Sequence, residues 1–454
     1  MDAKRILIVG GGYVGLVTAL RLQRQLRREI RRGQVQITVV DPRSFMTYQP
    51  FLPEASAGSL EPRHVVVPLR RVLTRCDVRT ARVTRIDHAR RVAVLAPHQG
   101  EEYELAYAEL VVAVGAVPRT LPIPGLADFA VGFKTIEEAI GLRNYVLDKL
   151  DEADAIPREA EGAAELRARL LTFVFVGGGF AGVEAIGELE DMARNAVRYY
   201  DNVRRDELRW VLVEAAGKII PEFGERLSDY TRDQLTERSI EVRLNTRLDS
   251  CEKGLVQLSD GSEFEAATVV WTAGVKPHPM LADTDLPLGP KGHLDCRADL
   301  RVSGVEHAWG AGDCAQVPDL VAGEGAYCPP TAQHGVRQAK HLARNIRRAL
   351  RGEPVVDFRH RNAGAVASLG LHQGVANIMG IRLRGWVAWF AHRSYHMYAV
   401  PTLNRKVRVV LDWTLALFFR REVVSLGTLH QPRQEFEGVV SWRSGSGRRG
   451  DQRG

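Results

Sequence analysis

Four consecutive apolar residues, Ile6-Leu7-Ile8-Val9, break into Gly10-Gly11-Gly12-Tyr13-Val14-Gly15, after which Leu22, Leu26 and Ile30 recur at four-residue spacing. A short uninterrupted apolar run predicts a buried strand, and the spacing that follows predicts a helix with one buried face. A second run, Ile37 to Val40, ends in Asp41. The same order returns later in the chain: Phe173-Val174-Phe175-Val176, then Gly177-Gly178-Gly179-Phe180-Ala181-Gly182, then a helix containing Glu184, Ile186 and Leu189, then a strand from Trp210 to Val213 that ends in Glu214. The pattern strand, GxGxxG, helix, strand, acid therefore occurs twice.

Two further apolar runs pass into Gly/Pro loops in parallel fashion, Leu110 to Val114 into Gly115-Ala116-Val117-Pro118 and Val269-Val270-Trp271 into Gly274-Val275-Lys276-Pro277. His307-Ala308-Trp309-Gly310-Ala311-Gly312-Asp313 sets a glycine and a carboxylate just after another predicted buried strand. Ala153 to Arg169, rich in Ala, Glu and Arg, predicts a solvated helix leading into the second repeat.

The repeated glycines have mechanical roles. Gly10 and Gly177 make the tight turn, Gly12 and Gly179 let the backbone approach a pyrophosphate, and Gly15 and Gly182 allow close helix packing, with the helix N-terminus facing the phosphate charge. Asp41 and Glu214, at the tips of the second strands, suit an adenosine ribose. Two dinucleotides are expected. A carboxylate at Glu214 repels a 2′-phosphate and favours NADH over NADPH, a preference that nearby Lys218 would soften.

Composition narrows the class. The 454 residues are 45% hydrophobic and 26% charged, enough for two or three globular domains and unlike a disordered or disulfide-stapled chain. The five cysteines form no CxxC pair, which favours a reducing compartment, the cytoplasm. Met1 to Arg5 run directly into the first strand without a signal-peptide pattern, and no run reaches 18 apolar residues. The net charge of +7 sits at one end: residues 381–454 hold 13 Arg and Lys against 5 Asp and Glu, while the rest holds 49 against 50. There Trp386, Trp389, Phe390, Tyr395 and Tyr398 interleave with Arg382, Arg384 and Arg393, and Arg405-Lys406-Val407-Arg408 opens a segment closing on Leu417-Phe418-Phe419-Arg420-Arg421. Basic ends around an aromatic and aliphatic middle suit a helix lying at a membrane interface, with a dimer interface or covered core helix as the other use. No metal site is expected; His392 and His396 have helical metal-pair spacing, but no glutamate follows His392, and aromatic packing or surface placement is the expectation.

The order of motifs resembles the flavoproteins with two dinucleotide-binding domains of the pyridine nucleotide-disulphide oxidoreductase-like superfamily. Within them it resembles the type II NADH dehydrogenases, the single-subunit NADH:quinone oxidoreductases. The resemblance covers residues 4 to about 430, and its more specific parts are Gln49-Pro50-Phe51-Leu52, Trp271-Thr272-Ala273-Gly274-Val275 and Pro329-Pro330-Thr331-Ala332-Gln333. It implies an α/β fold of two Rossmann-like domains, an FAD domain (1–125 with 285–345) into which a linker helix and NADH domain (126–284) are inserted, then a C-terminal membrane-associating or dimerisation region (346–440) and a disordered tail (441–454).

By the same resemblance Gly10, Gly12, Gly15, Asp41, Gly115, Gly312 and Asp313 bind non-covalent FAD, and Gly177, Gly179, Gly182, Glu214 and Gly274 bind NADH. Glu184 is the catalytic glutamate beside nicotinamide and flavin; Gln49, Pro50, Ala332 and Gln333 belong to the quinone site. The implied activity is hydride transfer from NADH to flavin and two-electron reduction of menaquinone or ubiquinone, without proton pumping and without nucleic acid, by a protein peripheral on the cytoplasmic face of the cell membrane. Three positions depart from the family: Arg337 replaces the second glutamine of the quinone motif with Gln338 one place later, Ala363 stands where a lysine is usual, and Pro53-Glu54 replaces tyrosine and glutamine. The alternatives are an NADH-responsive flavin redox sensor or a ferredoxin-type reductase with a protein acceptor. A sulfide:quinone oxidoreductase ranks lower because no cysteine lies between Cys76 and Cys251.

Overall fold

The computed structural model describes residues 3–419 and 421–425. The first glycine repeat is carried by strand β1 (Lys4–Val9), helix α1 (Tyr13–Gln25) and strand β2 (Val35–Asp41). β1 and β2 pair in parallel and sit in a seven-stranded sheet whose spatial order is 308–310, 109–112, β1, β2, 77–87, 92–97, 103–106. The first five are parallel and the last two antiparallel. Strand Ala308–Gly310 thus rejoins the sheet begun at residue 4, on the far side of the whole second repeat. The strands buried on both faces, Ile6 to Val9 and Glu109–Val112, are the ones that read as continuous apolar runs.

The second repeat is built the same way, from β3 (Thr172–Val176), α2 (Phe180–Ala196) and β4 (Arg209–Val213). Its five-stranded parallel sheet runs 131–132, 268–271, β3, β4, 240–243. Phe173 stacks on Trp210 with ring centroids 4.5 Å apart. The two strand-into-loop segments meet: Ala116–Pro118 pairs antiparallel with Val275–Pro277, so the loops leaving each sheet form a joint ribbon.

Two helix expectations are corrected. The first helix stops at Gln25, because Leu26 leaves helical geometry (φ −103°, ψ 23°), and resumes as the short helix Arg27–Arg31. Ala153 to Arg169 is not one solvated helix. A capped helix, Ile136–Asp154, ends there, and Ala163–Leu170 follows after a turn at Gly162. Arg167 is buried on that second helix, its guanidinium bonded to Glu207, Asn202 O and Ala153 O.

Helix α3 (Ala332–Leu350) packs on α1. The C-terminal part opens with a three-stranded antiparallel sheet, 364–368, 374–378 and 381–384. Helix α4 (Gly385–Ala399) lies on it so closely that a Cβ at Gly374 would stand 2.6 Å from Trp389 N. Helix α5 (Leu403–Phe418) follows and buries only Val409. No helix among the described residues is long and apolar enough to cross a membrane. Residues 426–454, and with them the tail 441–454, lie outside the described residues.

Candidate functional site

The two glycine loops are superposable in logic, residue by residue. Gly10 and Gly177 have φ of +101° and +116°, and a Cβ on either would meet the neighbouring strand's backbone, 2.4 Å from Ala113 O and 2.8 Å from Thr272 C. A Cβ on Gly15 or Gly182 would lie 1.8 or 2.0 Å from the carbonyl oxygen of the first glycine. Gly12 and Gly179 are different, with nothing within 4 Å of where their Cβ would be. Each caps its helix with no side chain over the first-turn N–H groups. Glycines one and three are required by packing, whereas the middle one opens a cradle that fits a pyrophosphate at a helix N-terminus.

Asp41 and Glu214 clasp these loops. Asp41 Oδ2 accepts from Gly11 N (2.7 Å) and Oδ1 from Arg43 N (2.8 Å). Glu214 Oε2 accepts from Gly178 N (2.6 Å) and Oε1 from Ala216 N (2.7 Å). Each carboxylate is aimed by two backbone donors at the tip of its strand. Burial pushes the Asp41 carboxyl above its ordinary range, against the pull of those donors.

On the first cradle's far side Gly312 (φ +77°) lies against Val14, and its N–H donates to Gln338 Oε1 at 2.8 Å. Asp313 is half-buried; burial raises its carboxyl, and Lys134 and His293 oppose that rise. Lys134 donates to Ala116 O at 2.6 Å, at the ribbon joining the two sheets. Gly115 and Gly274, both at positive φ with open space at Cβ, flank the same ribbon.

Glu184 lies in the second turn of α2 and is buried. Its Oε1 accepts from Ser368 N (2.9 Å) and lies 3.1 Å from His392 Nε2. His392 is itself 1% exposed, and neither ring nitrogen makes an aligned hydrogen bond. Its ring stands 4.5 Å from that of His396, whose Nδ1 shares a 3.0 Å hydrogen bond with the buried Tyr48 hydroxyl. Burial, then the neighbouring His392, holds His396 well below the usual imidazole range. Of the two placements expected for these histidines, aromatic packing is the one found, with His396 against Tyr48, Phe51 and Tyr395, and surface placement is corrected. They are buried, and they link Glu184 to the residue preceding Gln49.

Residues 4–339 match the model of the pyridine nucleotide-disulphide oxidoreductase family. The chain is 32% identical over 406 residues to a type II NADH:quinone oxidoreductase of Staphylococcus aureus, covering 88% of this chain and 96% of that one. The chain belongs to this family. A Staphylococcus haemolyticus relative of the same name is 31% identical over 405 residues, with the same shares covered. Among solved structures, NDH2 from Plasmodium falciparum in complex with NADH superposes with a TM-score of 0.83 at 18% identity, over 93% of this chain and all of that one. The sulfide:quinone oxidoreductase of Aquifex aeolicus gives 0.68 at 17% identity, over 92% and 96%. Both likenesses extend the shared fold through the C-terminal sheet.

Within this family fold the residues of the quinone motif engage different partners. Gln49 Nε2 donates to Lys134 O, and Pro50 opens a short helical turn after Tyr48. Ala332 starts α3, and Gln333 bonds Gly364 O, Ala363 N and His360 at 3.0 to 3.2 Å. Arg337 donates to Gln333 O, while Gln338 turns inward to hold Gly312. Glu54 is buried and accepts from Arg393 (2.9 Å) and Trp413 (2.7 Å), which ties α4 and α5 to the loop after Pro50.

Burial pushes the Cys314 and Cys328 thiols up to about 11, which disfavours the reactive thiolate. Asp319, Cys328 and His334 bring one ligand atom each within 4.8 Å of one another, a grouping the spacing of the sequence does not suggest. All three are engaged by the protein: Asp319 with Val321 N and Ala322 N, Cys328 with Pro318 O, and His334 with Thr331. Lys134, Tyr48, Gln338 and Ser368 are site residues that sequence reasoning missed, and only Gln338, one place beyond the motif, carried a signal.

Proposed function

We propose that this chain is an FAD-dependent NADH:quinone oxidoreductase that works on a membrane surface without pumping protons. The observation that carries the reading is the pair of open glycine cradles, each with its clasped acid, joined through one antiparallel ribbon. Gly10, Gly12, Gly15, Asp41, Gly115, Gly312 and Asp313 fit FAD in the first; Gly177, Gly179, Gly182, Glu214 and Gly274 fit NADH in the second. When bound, FAD supplies the two-electron chemistry, accepting hydride from nicotinamide and giving two electrons to a quinone.

The protein's own residues bind, orient and handle protons. Glu214 places its carboxylate where a 2′-phosphate would lie, which selects NADH. Reduction of quinone by NADH takes up one proton overall. Glu184, His392, His396 and Tyr48 form a buried line along which it can pass, with Glu184 Oε1 3.1 Å from His392 Nε2 at one end and a hydrogen bond between His396 Nδ1 and the Tyr48 hydroxyl at the other. Gln49, Pro50, Ala332 and Gln333 are assigned to the quinone; its type, menaquinone or ubiquinone, is left to experiment. Attachment to the cytoplasmic face of the membrane is assigned to α4 and α5, where Trp386, Phe390, Tyr398, Leu403 and Phe418 stand exposed.

Anaerobic mixing of the flavin-loaded full chain with NADH, then with vesicles containing menaquinone or ubiquinone analogues, tests the reading. Flavin bleaching followed by recovery is expected. Bleaching without recovery assigns the acceptor to a protein carrier or a sensing role.

A further inference from the structure

Four arginines gather where α5 meets the body of the protein. Arg405 and Arg408 from the first turns of α5, Arg63 from the helical turn Pro62–His64 and Arg71 from the short helix Leu69–Val72 line a cavity of about 460 Å³ together with His64 and Glu61. At roughly 30 Å³ per water, the cavity has room for a phosphate and part of its ester.

Its charges are unbalanced. Asp412, the acid that interrupts the apolar face of α5, has Oδ2 occupied by His64 Nδ1 (2.6 Å) and Glu61 N (3.2 Å). The other nitrogen of that imidazole faces Arg408 Nη1 at 3.2 Å. Among the described residues no carboxylate comes within ion-pair distance of Arg63, Arg71, Arg405 or Arg408. Burial, then the like charges of Arg408 and Arg71, holds the Arg405 guanidinium below its ordinary range. Four guanidinium groups against the two carboxylates of Glu61 and Asp412 leave an excess of positive charge, and an anion accepting their N–H groups relieves their mutual repulsion and satisfies their planar donor forks.

The surroundings say which anion. The helix that carries Arg405 and Arg408 also exposes Leu403, Val407 and Leu411, and Tyr398 stands just ahead of it in the chain. A soluble phosphate would leave these apolar groups in water. An anionic phospholipid would cover them with its chains while its headgroup entered the cavity. The extended strand of phosphates in a nucleic acid would likewise leave these apolar groups in water.

We propose that Arg63, Arg71, Arg405 and Arg408 form a specific site for the phosphodiester of an anionic phospholipid, which seats α5 at the membrane. This rests on the membrane reading of α4 and α5 above. The test is flotation of the flavin-loaded full chain with phosphatidylcholine vesicles, with and without phosphatidylglycerol. The pocket variant is Arg63→Gln/Arg405→Gln, and Arg27→Gln/Arg28→Gln on an exposed helix far along the chain is its charge-matched control. The natural chain should prefer phosphatidylglycerol vesicles by about tenfold or more, the pocket variant should lose that preference while still binding neutral vesicles, and the control should keep it.

An unchanged preference in the pocket variant overturns the site but leaves the membrane reading standing. Failure of the natural chain to float with either vesicle overturns both. Inorganic phosphate serves as the other arm: if it raises the melting temperature of the natural chain but not of the pocket variant, while both float equally, the cavity serves a free phosphate and the lipid assignment is wrong.

Discussion

The two repeats share one backbone and diverge on the helix that follows it. α1 contains no acidic residue, and it packs onto α3, where the Thr18 hydroxyl donates to Ala339 O. In α2 the corresponding helix buries Glu184, Glu188, Glu190 and Asp191. Each is held by a residue from elsewhere: Glu184 by Ser368 and His392, Glu188 by Ser368 and Arg421, Glu190 by Arg238, and Asp191 by Arg421, with Arg194 of the same helix also paired with Asp191. The first repeat is a holder finished by hydrophobic packing. The second is a holder whose back face is a charged interface with the C-terminal region, and Glu184 and His392, proposed above to handle protons, lie on that face. A duplicated binding unit thus acquires chemistry through what its helix is packed against, not through its glycine loop.

This contrast can be broken at several points. Gly15→Val and Gly182→Val drive a side chain into the first glycine's carbonyl oxygen, and each should cost ~4 kcal/mol or more, seen as loss of soluble protein or a collapsed melting temperature. Arg421→Met, which leaves Glu188 buried without its cation and Asp191 with Arg194 alone, should destabilise by about 3 kcal/mol in denaturant titration, and adding Glu188→Gln should restore part of it. No such loss is expected from removing a charge on α1, such as Arg24→Gln.

Glu184→Gln should slow reoxidation of the reduced protein by quinone about a hundredfold while NADH affinity stays unchanged, and His396→Phe should act in the same direction. Equal rates in both variants would return Glu184 to a purely electrostatic role at the helix start. NADH should exceed NADPH by about tenfold in kcat/KM because of Glu214, and Glu214→Gln should narrow the gap. The smallest effect concerns pH. His396 stays neutral in the folded protein below the ordinary imidazole value of 6.5. The unfolded chain therefore takes up the proton first, and stability should fall as pH drops below 6.5, by at most about 1.4 kcal/mol per pH unit. His396→Phe should flatten that slope in melting curves taken across the range.

The glycine loops were legible because everything they need is local. Gly10, Gly12 and Gly15 are set by the strand before and the helix after, and Asp41 and Glu214 reach them from the adjacent strand. The break at Leu26 was not legible, since helical composition continues through it, whereas the break at residues 155–162 carried its own signals in Pro157 and Gly162, outweighed by the Ala, Glu and Arg around them. The partners of Glu184 were hidden for another reason. Ser368 and His392 lie about two hundred residues away, and a histidine pair at four-residue spacing reads equally well as metal ligand, packing or surface. The same holds for Asp412, which looks like a flaw in an apolar helix until His64 and Glu61 are beside it.

The central claim is that the two cradles hold different dinucleotides, flavin in the first and nicotinamide in the second. The measurement is flavin content together with NADH titration for Gly12→Val and Gly179→Val, at positions where a side chain meets open space and the fold is left intact. Gly12→Val should purify folded but colourless. Gly179→Val should retain one flavin per chain yet show no bleaching at NADH concentrations that fully bleach the natural protein. A Gly179→Val protein that loses its flavin, or a Gly12→Val protein that keeps it, would contradict the account.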